Sequence, residues 1–418
     1  MRQNARMPDP SQRSDPAAAD AGRRGDADYR WFSVGVSSWF GAFGMQSAIF
    51  AWLLVGELEA PARWVGIAQT SNMLPSLFLL LVGGAFADRR DPRLTLIRLH
   101  VLMAVPVLML LLVVMSGRLH IGWLMALGIA QGTITAFVTP ARDTLLSRVA
   151  GGDMMRAVTG MTLFQFGSQS LGTLLVGTAR WVGSPAILCV QAAVLLLGAL
   201  ATVFVRGEVR TLREPPAHSP LSGIAEGLRL VARTPNLRVP IGLVLAVGTL
   251  FVGPFLVLFP ILVRDHYHGT ELELALVLSL FPLGTIVGSG LILLRGGIAR
   301  KGLGALNALT LGALALGAVG LAPPFWGMVV ATFVWGLGGS VFINCSRTLY
   351  QEAAPSARRG QVLSVYQLGF MGAAPIGALV AGFASEGVGP LTTILGFATA
   401  MLGVVTLAWT VSDAPRMR

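Results

Sequence analysis

The sequence predicts an all-α integral membrane protein whose twelve transmembrane helices form two parallel, pseudo-repeated six-helix bundles. Three observations predict it. Only 12% of the 418 residues are charged while 54% are apolar, and the mean hydropathy is +0.70; a soluble domain carries roughly 25% charge. So much apolar surface does not fit inside the one or two cores this length allows a water-soluble protein. Second, eleven stretches of 19 or more residues lack Asp, Glu, Lys and Arg, and a helix needs about 20 apolar residues to cross the hydrocarbon core. Third, a single long internal polar segment, 206–238, divides the chain into halves.

Taken in order, the tail 1–30 mixes six Arg with five Asp among Pro, Ala, Ser and Gly, a composition that predicts disorder. It has no apolar run of its own, so it does not read as a removed signal peptide. Helices 1 to 6 are expected within 31–56, 64–87, 99–117, 119–141, 157–179 and 181–205. Together they make an N-terminal bundle, 31–205, followed by the cytoplasmic connector 206–238. Helices 7 and 8 fall within 239–263 and 274–294, and helices 11 and 12 within 360–385 and 387–412. The window between them, 302–346, holds 45 residues and is broken by Ala322-Pro323-Pro324. A helix interior does not tolerate that break, so the window counts as helices 9 and 10. The C-terminal bundle is then 239–412, with 413–418 as a cytoplasmic C-terminus.

The distribution of Lys and Arg tests this threading independently, because basic residues collect on the cytoplasmic side. With both termini inside, 27 of the 31 basic residues lie in inner segments, and the outer loops keep Arg63, Arg118, Arg180 and Arg264. Fourteen acids lie inside and six outside, so the faces carry +13 and −2. The net charge of +11 is thus a threading signal in a multi-pass inner (plasma) membrane protein, and no nucleic-acid partner is needed to explain it. Cys189 and Cys345 form no disulfide framework or metal cluster.

The halves also repeat. A shift of 205 places Gly83 on Gly288, Arg90 on Arg295, Arg142 on Arg347, Gly167 on Gly372, Gly172 on Gly377 and Gly177 on Gly382. Six crossings return the chain to its starting side, so the halves share one orientation, as in transporters built from parallel repeats. The loop after helix 2 reads Gly83-Gly84-Ala85-Phe86-Ala87-Asp88-Arg89-Arg90-Asp91-Pro92-Arg93. It resembles the G-x-x-x-D-R-x-G-R-R signature of the major facilitator superfamily, with Asp91 in the usual glycine place. Thr139-Pro140-Ala141-Arg142, Leu145-Leu146 and Asp153 to Ala157 are similar to the helix 4 to 5 loop of the branch containing enterobactin exporters and macrolide efflux pumps, the transmembrane secretion effector type. The resemblance implies the superfamily fold, alternating access, and a central cavity walled by helices 1, 4, 7 and 10. It also implies that Gly84, Asp88, Arg89 and Arg93 latch the bundles together, where the bland alternative is a solvated charge cluster that sets topology.

Gly167, Gly172 and Gly177 recur every five residues on helix 5, as do Gly372, Gly377 and Gly382 on helix 11, where Pro375 joins them. Steps of five turn by roughly 140°, so these glycines do not form one face. They resemble the family's antiporter motif, but Thr173 stands where a proline is expected; close packing and bending is the competing reading. Arg142 and Arg347 are expected to snorkel to water at inner helix ends, or to gate through Asp143 and Glu352. Intramembrane acids are the usual proton carriers of pumps, yet every acid lies outside the charge-free windows. Coupling is therefore expected at the rim acids Glu57 or Glu59, with His100 and His120 read as interfacial.

Mid-membrane polar side chains are amides: Gln46, Gln131, Gln165 and Gln169, with Asn72 and Gln367 nearer the ends. An amide in lipid is costly unless paired, so these face the interior, for interhelical hydrogen bonds or for cargo. Trp39, Phe43 and Gln46 share one face of helix 1; Gln131, Phe251, Phe255 and Trp335 join them as a candidate substrate cavity. Pro254, Pro260 and Pro282 are expected to bend helices 7 and 8.

Taken together, these features point to a secondary active transporter, with efflux of an amphipathic small molecule such as a siderophore or antibiotic as the leading reading. Facilitated uptake or uniport, and a non-transporting sensor or assembly protein, are the alternatives. No nucleophile, base or metal cluster suggests an enzyme, and there is no P-loop, no H-E-x-x-H and no expected cofactor. The expected partners are a small-molecule substrate, protons and the lipid bilayer, with the chain acting as a monomer.

Overall fold

The computed structural model describes residues 16–88, 90–150, 154–206, 220–353 and 359–417. Twelve long helices account for most of them. They are α1 (Pro16–Trp52, continued by a π turn Leu53–Glu57), α2 (Ala62–Asp88), α3 (Pro92–Met115), α4 (Ile121–Val149), α5 (Met154–Val176) and α6 (Ser184–Val203). The second set is α7 (Pro235–Val247, a π turn Gly248–Val252, then Gly253–Asp265), α8 (Glu271–Leu294), α9 (Lys301–Gly320), α10 (Phe325–Ala353), α11 (Arg359–Val388) and α12 (Pro390–Val411). Among the described residues, ten of these rods are long and apolar enough to cross a membrane. The other two long helices, α2 and α5, each pack against helices of both bundles.

Local chemistry sets the helix ends. Asp91 caps α3 by accepting from the Arg93 amide at 2.8 Å, with Pro92 at the first helical position. This gives the aspartate in the signature's glycine place a structural job. Thr270 and Glu273 form a capping box at the start of α8. Gly183 and Gly389 introduce α6 and α12 in the same left-handed conformation, φ +81° and +85°, which disfavours any residue with a Cβ. The predicted break at Ala322-Pro323-Pro324 separates α9 from α10, with Ala322 at φ +54°. The π turn of α7 lies just before Pro254, whose missing N–H cannot continue the α ladder.

One expectation about the polar segments needs correction. Residues 16–30, assigned by composition to a disordered tail, continue α1 toward the N-terminus; residues 1–15 lie outside the described residues. Pro16 suits a first helical turn and Ala17–Ala19 have the strongest helix propensity, local preferences that the charge balance overlooked. Asp28 then accepts from the Arg206 amide at 2.9 Å, and the Tyr29 hydroxyl donates to the Ala157 carbonyl at 3.0 Å. The connector also holds a helix, Pro220–Arg233, which rests on α2 and α11.

The helices pair alike in the two halves. Helix α2 packs on α4 as α8 does on α10; α1 on α5 as α7 does on α11; α3 on α6 as α9 does on α12. The main seams between the bundles are α2 with α11 and α5 with α8. Glycines make both kinds of approach possible. A Cβ at Gly172 would lie 2.0 Å from the Gly41 carbonyl oxygen, within the first bundle, and one at Gly177 would lie 3.2 Å from the Leu272 Cα, across the seam. In α11, Gly377 meets the Thr249 carbonyl of its own bundle and Gly382 meets Ala62 and Gly66 of the other. The five-residue step therefore turns successive glycines toward two different neighbours. Gly372 faces Leu77, and Gly167 has open space around it.

Candidate functional site

The best-defined polar site is inside the first bundle. Trp39, Phe43 and Gln46 of α1, Asn72 of α2, Gln131 and Thr135 of α4 and Gln191 of α6 line a cavity of about 40 Å³, closed by Ala42, Met103 and Leu195. Glycines set it up: a Cβ at Gly132 would lie 2.0 Å from the Asn72 carbonyl oxygen, so α2 and α4 run backbone to backbone and bring Asn72 beside Gln131. Gln46, Gln131 and Gln191 are 8%, 3% and 1% exposed. The Gln191 amide donates to the Gln46 side-chain oxygen at 2.8 Å and to the Ala42 carbonyl at 3.1 Å. Four atoms remain without a partner: Gln46 Nε2, Gln131 Nε2 and Oε1, and Gln191 Oε1. Buried amide atoms are ordinarily satisfied, and leaving one bare costs about 1–3 kcal/mol. The amides that line the cavity thus leave two donor nitrogens and two acceptor oxygens unpartnered, with no formal charge among them.

The remaining members of the predicted cavity lie elsewhere. Phe251, Phe255 and Trp335 pack with Phe259 and Phe281 in the second bundle, with ring centroids 5.1 Å (Phe251), 5.6 Å (Phe255), 5.8 Å (Phe259) and 5.5 Å (Phe281) from Trp335. Trp335, Phe251 and Phe259 are buried. The expected single aromatic and amide cavity is therefore two clusters: Trp39, Phe43, Gln46 and Gln131 are brought together, while the other three form a packed core. Sequence reasoning missed Gln191, although the test that found Gln46, a mid-helix amide in a charge-free window, applies to it equally.

At the signature loop, Gly84 and Asp88 fall on the end of α2 whose side chains, with Arg89, lie outside the described residues. Arg93 donates to the Val203 carbonyl of α6, so in this conformation it ties α3 to α6 within one bundle. Arg142 does not snorkel. Its side chain is 12% exposed, held by Asp143 at 2.9 Å, near Gln165 at 3.5 Å and over the Phe40 ring at 5.4 Å. Arg347 is exposed, and Glu352 is taken by Lys301 at 2.8 Å.

Toward the far end from the termini, the bundles are held by polar contacts. Arg264 of α7 donates to the carbonyls of Val55 at 2.9 Å and Ala60 at 3.5 Å. There the π turn of α1 ends and the chain turns through Glu59 at φ +46°. Thr70 donates to the Pro375 carbonyl at 3.1 Å, Ser170 to Ser279 at 3.4 Å, and Arg63 lies 3.6 Å from Glu386. The rim acids Glu57 and Glu59 are exposed, and Glu57 accepts from the Ser184 hydroxyl. Neither lines the amide cavity. Of the two histidines, His120 is exposed at the start of α4, as expected for an interfacial residue, but His100 is buried at 2% exposure between α1, α3 and α6.

Comparison with known proteins follows the same lines. The model of the Major Facilitator Superfamily matches residues 32–378. The multidrug efflux pump Tap of Mycolicibacterium fortuitum is 27% identical over 389 residues, covering 87% of this chain and 91% of its own. Macrolide efflux protein A of Streptococcus pyogenes is 23% identical over 364 residues, covering 82% and 86%. In three dimensions the chain is similar to the nucleoside transporter NupG, with a TM-score of 0.72 at 14% identity, covering 91% of this chain and 97% of that one.

Proposed function

Because the chain belongs to the Major Facilitator Superfamily, we propose that this multi-pass membrane protein is a secondary active exporter working by alternating access. It would sit in the plasma membrane with both termini in the cytoplasm, a threading that the +13 and −2 faces support, and act as a monomer. Its moving parts are the bundles 31–205 and 239–412, joined by the connector 206–238. The likeness to the efflux pump Tap and to macrolide efflux protein A supports export and a small organic cargo. The observation that carries the reading is the amide cavity, whose unpartnered atoms fit the neutral polar groups of an amphipathic molecule.

Polar contacts at the far end, from Arg264 to Val55 and from Thr70 to Pro375, support a conformation closed on that side. Reopening must break them. The signature residues Gly84, Asp88, Arg89 and Arg93 then latch the opposite end, with Arg93 exchanging its Val203 partner in the other state. Gly172, Gly177, Gly372 and Gly377, with Pro375 beside them, supply the close packing on which α5 and α11 slide, whereas Gly167, with open space around it, leaves room for that movement.

Transport into everted vesicles tests this. A panel holding a macrolide, a ferric-siderophore ligand and a nucleoside, with and without a pH gradient, is expected to show uptake of at least one amphipathic member. No flux under any condition, or accumulation only in the opposite direction, overturns the export reading.

A further inference from the structure

Among the described residues, His100 is the one buried side chain of the Asp, Glu, Lys, Arg and His classes. Its two ring nitrogens both meet carbonyl oxygens. Nδ1 lies 2.8 Å from the Leu96 oxygen, one turn back on α3, and Nε2 lies 3.2 Å from the Gly35 oxygen on α1. A neutral imidazole has one N–H, so one of these contacts would set a lone pair against a carbonyl oxygen; only the imidazolium donates to both. Burial in an apolar bundle opposes that charge. The two demands conflict, which is the condition for a group that changes protonation state when its surroundings change.

The neighbours are few. From α1 come Gly35, Ser38 and Trp39, and from α6 Gly198, where an added Cβ would meet His100 at 2.8 Å. Neither helix brings a charged group: α1 has none between Arg30 and Glu57, and 184–205 has none. From α4, Arg142 shares a second cavity with His100 and is itself paired with Asp143. On α3, Arg93 is tied to Val203 and Arg98 is exposed. Trp39 stands between the two cavities, lining both this one and the amide cavity, with its ring 5.2 Å from the His100 ring at 78°.

We propose that His100 is the group that takes up and releases the coupling proton, and that Trp39 links its charge state to occupancy of the amide cavity. The inference rests on the exporter reading above. Uptake of a proton by the neutral ring gives N–H donors to both Leu96 and Gly35 and fastens α1 to α3. Its loss leaves one N–H; with the shorter Nδ1 contact keeping it on Leu96, the Gly35 carbonyl faces a lone pair and α1 is released there, four residues from Trp39. Cargo that shifts Trp39 shifts the same balance from the other side. Rim acids at Glu57 and Glu59 are then not required for coupling.

The test uses the full-length protein in nanodiscs, labelled with ¹⁵N-histidine, and His100→Gln identifies the His100 signals. The expected result is a reversible change between imidazolium and neutral ring within pH 5 to 9. Its midpoint should move by about half a unit or more, roughly threefold in proton affinity, in Gln46→Leu/Gln131→Leu and in Trp39→Phe. A ring that keeps one protonation state throughout, or a midpoint that neither variant moves, overturns the proposal. These signals need no cargo, so they stand apart from the vesicle experiment, whose failure would strike the exporter reading itself. Where flux is found, Glu57→Gln/Glu59→Gln should retain its pH dependence and His100→Gln should lose it; the reverse outcome assigns coupling to the rim.

Discussion

The interiors of the two bundles are built on one packing plan and filled with opposite chemistry. Gly132 and Gly336 hold matching places: an added Cβ would lie 2.0 Å from the Asn72 oxygen in one bundle and 2.3 Å from the Phe281 oxygen in the other. Gly44 and Gly253 match in the same way against Gln169 and Ala374, at 2.1 and 2.7 Å. The residues beside these anchors therefore correspond. Gln131 takes the place of Trp335, Gln46 of Phe255, and Asn72 of Phe281. Three amides around a cavity in the first bundle stand where three aromatic rings in mutual contact, 5.5 to 5.9 Å apart, fill the second. One core gives up stability to leave hydrogen-bonding atoms bare, and the other fills the same volume with rings. Burial alone makes both look structural; the unpartnered atoms mark the amide cluster as the candidate site.

Substitutions can break that contrast. The largest effect is expected at Trp335→Ala, which empties the aromatic core and should cost about 3–5 kcal/mol, seen as a fall in the detergent unfolding temperature. If the variant unfolds like the wild type while transport stops, the second cluster is a cargo site too. Next comes Gln46→Leu/Gln131→Leu. It should leave the unfolding temperature unchanged or higher, because bare buried amides are removed, yet reduce transport about thirtyfold, as loss of two hydrogen bonds near 1 kcal/mol each implies. A destabilised variant with normal transport would make the amides structural.

The seam between the bundles gives smaller effects. Arg264→Gln removes a partly exposed charged donor from the Val55 and Ala60 carbonyls, and about 1 kcal/mol of far-end closure should go with it. A cysteine placed at buried Leu54, with Cys189 and Cys345 replaced by Ser, should then be labelled roughly fivefold faster. Unchanged labelling would mean that glycine packing alone shuts that end. Arg63→Ala is expected to do least, below about 0.5 kcal/mol, since its pair with Glu386 is long and solvated. A larger shift would make the exposed pair a genuine clasp.

The fold was legible because lipid demands long uncharged runs, and the broken window at Pro323-Pro324 could be divided by proline chemistry alone. Helix from 16 to 30 was hidden by a charge-rich composition, since the alanine run that favours it is short. Half of the site was legible. Gln46 and Gln131 stood out as mid-membrane amides, but no single helix reveals which amides converge, so Phe255 and Trp335 were grouped with them when in fact they replace them. His100 misled for a related reason. Near a window's end a histidine reads as interfacial, and only the position of α1 against α3 shows that Gly35 and Trp39 cover it.

The register of the repeat has an evolutionary consequence. Gly172 and Gly377 are 205 residues apart, but the residues they touch, Gly41 and Thr249, are 208 apart, and α1 and α7 carry their π turns at different heights. One residue added to a helix swings every later side chain by about 100°. A duplicated chain can thus present a new lining in one copy with hardly a substitution, while the glycine contacts keep that copy folded. Relatives of this protein could acquire different cargoes by shifting a helix past its anchor, and length changes within α1 and α7 are where such divergence would be written.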